Sequence, residues 1–166
     1  MLILFAIATY MALLIQTAVP LWFPFHALIP NLVIILTVDL GLRHHSALAA
    51  LMAFAMGYAT DALSGNHLGM NAFLTTSIFL VTYEMSSRLL VTNVLVGAIT
   101  VFLAVMVAGL GGVIFTAGRG AVEEINLVFA QLLLQALVSA IIAPLVFAAM
   151  AGTKRVIGLP DELERE

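Results

Sequence analysis

The sequence predicts an all-α, polytopic membrane protein with six transmembrane helices. Three observations carry that expectation. Hydrophobic residues fill 63% of the 166 positions and charged residues only 9%, against about 45–50% and about 25% in soluble domains. The charges are unevenly placed: Lys154, Arg155, Asp161, Glu162, Glu164, Arg165 and Glu166 lie together near the end of the sequence, and the rest of the chain carries few. The apolar part divides into stretches near the ~20 residues that a helix needs to cross a hydrocarbon core. A helix satisfies its own backbone polar groups there, where no water is present to do so.

The first span is read as Leu2 to Val19, closed by Pro20, because proline lacks an N–H and its ring clashes with the preceding turn. Residues 20–30, PLWFPFHALIP, are too proline-rich for a regular helix, and Trp22, Phe23 and Phe25 suit an interfacial belt or a re-entrant dip. The second span runs from Asn31 to Leu42 and is short, which leaves a count of five full spans open beside six. It has room to borrow residues from Ala27 onward, since Pro30 is tolerated in a first turn. Arg43, His44 and His45 end it. The third span is Ser46 to Leu63, the fourth Met70 to Arg88, the fifth Asn93 to Ala117 and the sixth Ile125 to Met150. Pro144 should loosen the sixth, and Gly109, Gly111 and Gly112 permit close packing or bending in the fifth. Residues 1–151 are expected to form one six-helix domain, and residues 152–166 a short, solvated, charged tail.

Basic residues orient membrane proteins toward the cytoplasm. With six spans, Arg43, Arg88, Lys154, Arg155 and Arg165 fall on the side of both termini, and Arg119 alone on the other. Both termini are therefore expected to be cytoplasmic. The first span lacks a basic leading region and a small-residue cleavage site, so it is read as a retained helix.

Composition also excludes function classes. Six Lys and Arg with a net charge of -3 cannot build a nucleic-acid-binding face. With no cysteine, disulfides, thiolate catalysis and Cys-ligated metals are excluded. The four histidines lack the spacing of a metal site, and neither HExxH nor GxSxG occurs. No catalytic residue, cofactor or metal is expected.

The polar residues within the spans are the functional candidates, because charge in the membrane is costly. Asp61 ends a ladder of small residues at four-residue spacing, Ala49, Ala53 and Gly57, a pattern that lets a second helix approach closely. Its carboxylate lies beside the 64–69 loop and the start of the fourth span, where it can accept from free backbone N–H groups. Ala8, Ala12 and Gln16 form a similar stripe on the first span. Either stripe is a seam for internal packing or for a partner helix. Gln131, Gln135 and Ser139 form a polar stripe on the sixth span suited to interhelical hydrogen bonds. Asp39 with Arg43, and Glu84 with Arg88, have the favoured i, i+4 order and are read as solvated ion pairs at span ends.

The segment GYATDALSGNHLGMNA over residues 57–72 resembles the G-x-x-x-D-x-x-S-G-x-x-x-G signature of the MreD family of bacterial rod shape-determining membrane proteins. The run from Pro30 and Asn31 into LVIIL resembles the start of that family's second span. Ala143 and Pro144, followed by Lys154 and Arg155, resemble its late proline and basic end. The tail here departs from the pattern by turning acidic after Pro160. The resemblance marks Gly57, Asp61, Ser64, Gly65, Gly69 and Asn71 as motif positions shaping the hairpin between the third and fourth spans. It implies a non-enzymatic scaffold of the elongation complex in the bacterial inner membrane, in contact with lipid. Such a scaffold docks an MreC-like single-span protein and helps link MreB filaments to peptidoglycan synthesis through RodA and a class B penicillin-binding protein. It also implies a fold like that of the substrate-binding subunits of energy-coupling-factor transporters. A vitamin-binding transporter subunit of that kind is the alternative function, with Ala8 and Ala12 as its docking motif.

Overall fold

The computed structural model describes residues 2–22, 28–44, 46–64, 69–88, 94–117 and 125–157. The described residues are all-helical: α1 (Leu2–Trp22), α2 (Leu32–Arg43), α3 (Ala47–Ser64), α4 (Met70–Arg88), α5 (Val94–Ala117) and α6 (Ile125–Ile157). Helices α3, α5 and α6 are long and apolar enough to cross a membrane, and α1 carries a shorter apolar run, Leu4–Ala18. Helix α4 has the length but interrupts its apolar residues with Asn71, Thr75, Thr76, Ser77, Thr82 and Glu84.

Helix α2 organises the bundle. Its 12 residues rise only ~18 Å, short of the ~30 Å hydrocarbon core. Its residues Val33 to Gly41 are all buried, as expected of a helix that is apolar all round. One face, Val33, Leu36 and Leu40, packs with Phe5, Ala12 and Leu13 of α1, Ala49, Ala53 and Met56 of α3, and Phe79 of α4. The other face, Ile34, Ile35 and Val38, packs with Ile78 of α4, Val101 and Val105 of α5, and Ala136, Ala143 and Phe147 of α6. Thus α2 is the shared wall of two apolar cores. Lipid tails are as apolar as leucine, so close packing and hydrogen bonds hold such a bundle, rather than exclusion of water. The outward faces carry large apolar side chains such as Ile7, Tyr10, Leu51, Phe73, Ile141 and Leu145, the surface lipid requires.

Three boundaries differ from expectation. Helix α1 runs through Pro20 to Trp22, because in a last turn proline interrupts the ladder only once, at the Gln16 carbonyl. Helix α2 takes nothing from residues 28–30: it starts at Leu32, with Asn31 as its N-cap accepting from the Ile34 N–H at 3.2 Å. Helix α6 continues past Met150 to Ile157, so Lys154 is helical and buried and not part of a solvated tail. The isolated Gly152 costs a helix only about 1 kcal/mol. Gly65, the rest of the 65–68 loop, the 23–27 aromatic segment, Arg119 and residues 158–166 lie outside the described residues.

Candidate functional site

Asp61, on the last turns of α3, is 1% exposed. Its carboxylate accepts from the N–H groups of Gly69 at 3.0 Å, Asn71 at 3.0 Å and Ala72 at 3.1 Å, and from Asn71 Nδ2 at 2.9 Å. These backbone donors belong to the first turn of α4, where no intrahelical acceptor exists. The residue preceding α4 is Gly69, with φ +98°, a conformation that disfavours residues with a Cβ. Glycine has no side chain to cap a helix, and Asp61 supplies the cap from the neighbouring helix. A negative charge there also complements the positive end of the α4 dipole. Ser64 is exposed and its hydroxyl lies 3.4 Å from the Asp61 carbonyl oxygen.

The small-residue ladder below Asp61 faces α4. A Cβ on Gly57 would lie 2.6 Å from the Ala72 Cα, and closer still to the Asn71 carbonyl oxygen and the Thr75 hydroxyl. The Thr75 hydroxyl donates to the Ala53 carbonyl across the seam at 2.9 Å. Ala49 and Ala53 are buried in the first core, and so is Ala12 of α1, with Ala8 packed against it. Both seams are therefore closed within the chain. Of the two roles left open for the Gly57 stripe, packing within the chain is the one seen: α4 lies against it.

A second set of polar contacts meets at the same end of the bundle. The Asn31 N–H donates to Ser139 Oγ at 2.9 Å, Gln135 Nε2 donates to the Ile29 carbonyl at 3.2 Å, and Gln16 Nε2 donates to the Pro30 carbonyl at 3.1 Å. Residues 29–31 are thus pinned by α1 and α6 where α2 begins. Gln131 does not join them and is exposed. Steps of four residues advance about 40° round a helix, so the third member of the stripe is turned outward.

Between these two sets lies a cavity of about 180 Å³, walled by polar Asn31, Thr60, Asn71, Thr75 and Gln135 and by apolar Val33, Ile34, Leu74, Ile78, Val105 and Ala108. It brings the motif residue Asn71 and the stripe residue Gln135 to one space. That meeting was not foreseen from the sequence, and Asn31 was its unrecognised member. The proline-asparagine step before an apolar run was the available signal for an N-cap.

The opposite end holds a buried polar cluster that sequence reasoning missed. Lys154 and His44 are 2% and 1% exposed, with Lys154 Nζ 2.8 Å from His44 Nε2. The direction of this hydrogen bond follows the His44 tautomer. Lys154 Nζ also lies 5.3 Å from the centre of the Phe5 ring, which His44 meets edge-on at 5.7 Å. One turn earlier, Asp39 is fully buried and accepts from Arg43 Nε at 2.7 Å. That pair is not the solvated one expected, because α2 is enclosed on every side. Glu84 is exposed, and the Arg88 side chain lies outside the described residues. The signal for Lys154 is the buried stripe of α6, Ala136, Ser139, Ala143, Phe147, Met150 and Lys154, which keeps helical period to its last member. Lys154→Met should keep the volume but leave His44 Nε2 without this partner. A loss of about 2 kcal/mol is expected, read as a lower unfolding temperature in detergent.

Chemically, these side chains fasten helix ends and line a neutral cavity. Among the described residues no three His, Asp or Glu side chains group as metal ligands. No curated protein and no solved structure matches the chain, so the likeness to energy-coupling-factor subunits and the transporter alternative gain no support. The family model that does match is that of rod shape-determining protein MreD, over residues 1–151. With the capped α3–α4 hairpin occupying the stretch that carries the family signature, this membrane protein belongs to the MreD family of rod shape-determining proteins.

Proposed function

We propose that the chain is a non-enzymatic scaffold that docks a single-span MreC-like protein and helps couple MreB filaments to peptidoglycan synthesis by RodA and a class B penicillin-binding protein. The family match over residues 1–151 carries this reading. The engagement of Asp61, Gln16, Gln135 and Ser139 in fastening helix ends supports it. Because the small-residue seams are closed internally, the partner helix docks on an outward apolar face, such as that of α3 with Leu51, Phe54 and Tyr58. Affinity there comes from packing and hydrogen bonds, since lipid competes equally for apolar contact. The protein sits in the inner membrane with both termini cytoplasmic, on the strength of five basic residues against one.

The test is co-expression with the host's MreC-like protein and purification through a tag on either partner, beside rescue of cells depleted of their own family member. A stable complex in mild detergent and recovery of rod shape are expected. A folded protein that neither retains the partner nor restores shape would refute the scaffold role.

A further inference from the structure

We propose that the cavity between α2, α3, α4, α5 and α6 binds the hydroxyl-bearing head of an uncharged diacyl lipid, of which diacylglycerol is the simplest form. The space, about 180 Å³, equals the liquid volume of about six waters. That suits a glycerol-sized group and not a large one.

The polar lining decides the chemistry. Each of three amides is held at one end by the protein. Asn31 Oδ1 accepts from the Ile34 N–H, Asn71 Nδ2 donates to Asp61, and Gln135 Nε2 donates to the Ile29 carbonyl. These bonds fix which end of each amide is oxygen and which is nitrogen. Among the described residues, Asn31 Nδ2, Asn71 Oδ1 and Gln135 Oε1 are left to a guest, one donor and two acceptors. The Thr60 hydroxyl donates to the Met56 carbonyl and the Thr75 hydroxyl to the Ala53 carbonyl, so each offers further acceptor capacity. A lining with more acceptors than donors selects a guest that brings O–H groups. Because the amides are already tied down, little side-chain freedom is lost on binding.

Charge excludes the common phospholipid heads. Among the described residues the lining holds neither Lys nor Arg, and the Asp61 carboxylate lies directly behind Asn71. A phosphate placed there would be desolvated without a cation to compensate it.

Geometry favours a lipid over a free polyol. Val33, Ile34, Leu74, Ile78, Val105 and Ala108 make the floor apolar. Two of the enclosing helices, α4 and α5, pack against each other far less extensively than α3 with α4 or α5 with α6. The cavity is not fully enclosed, and its open margin gives an acyl stem a path to the surrounding hydrocarbon.

The experiment uses the purified full chain in detergent, with native mass spectrometry and thermal unfolding as readouts. The probes are dioctanoylglycerol, dioctanoyl phosphatidylglycerol and glycerol. Dioctanoylglycerol should bind one molecule per chain and raise the unfolding temperature. Ala108→Leu fills the cavity and should weaken binding at least about tenfold. Thr60→Val removes an acceptor at constant shape and should weaken it roughly threefold to tenfold. Among the described residues Thr60 bonds only within its own helix, so this variant decides the matter should Ala108→Leu not fold. Equal binding of the phosphatidylglycerol, lost in the same variants, would overturn the neutral head. Glycerol binding as tightly as dioctanoylglycerol would overturn the lipid source. Absence of binding, or binding unchanged by both substitutions, would overturn the site.

Discussion

Replacing Asp61 by alanine should cost most of the folded protein. The carboxylate is buried and receives four hydrogen bonds, three of them from backbone N–H groups that open α4. Bonds to a charged acceptor contribute about 1.5–3 kcal/mol each, and donors left buried without a partner add a penalty. Even if water recovers half of these bonds, the loss is at least about 4 kcal/mol, a size few single substitutions reach. Asp61→Asn separates charge from shape. Its amide retains one acceptor oxygen but turns an NH₂ group toward backbone donors, so roughly half of the loss should remain. The measurement is the unfolding midpoint in detergent beside the yield of monodisperse protein. If Asp61→Asn kept full stability while cell shape was lost, a proton-relay role would replace the capping account.

The second large effect is expected at Gly57. The atoms that crowd its missing side chain include the Asn71 carbonyl and the Ala72 Cα. Backbone cannot rotate aside as a side-chain tip can, so Gly57→Ala must separate α3 from α4. Overpacking of this kind costs about 1–3 kcal/mol in well-packed cores and occasionally more. The upper end is expected here, because the displaced segment is the turn that Asp61 caps and the Thr75–Ala53 bond lies in the same seam. Gly57→Leu should not fold. Equal thermal stability of Gly57→Ala and the native chain would show that the two helices stand further apart. Loss of partner binding in Gly57→Leu is therefore no evidence for a docking groove at that position.

What the sequence made legible follows from what bounds each element. The described fourth helix coincides with the span expected from Met70 to Arg88, and the fifth differs by one residue at its start, because polar and glycine-rich segments flank both. Pro20 and Gly152 misled, since each disturbs a helix locally without ending it. A stripe of small residues announces close approach but does not say which helix approaches, so the Ala49–Ala53–Gly57 ladder left its partner open. Asp39 looked like a span-end charge because burial of α2 depends on five other helices. The contact between His44 and Lys154 joins residues 110 apart, and no local pattern encodes such a distance. The hairpin around Asp61 was more accessible: acceptor, turn glycine and helix start lie within 11 residues of one another.

The cap of α2 has a consequence for how the protein is made. The Asn31 N–H reaches Ser139 Oγ, 108 residues further along the chain, and Gln135 reaches back to Ile29 over 106. A ribosome produces α6 after α1 to α5, so these bonds cannot form until α6 has emerged. The short α2 must wait, with its entry segment unsecured, until α6 arrives. Completion of the bundle is thereby tied to the synthesis of α6. A chain truncated before Gln135 would present the unfastened start of α2 to the quality-control proteases of the membrane.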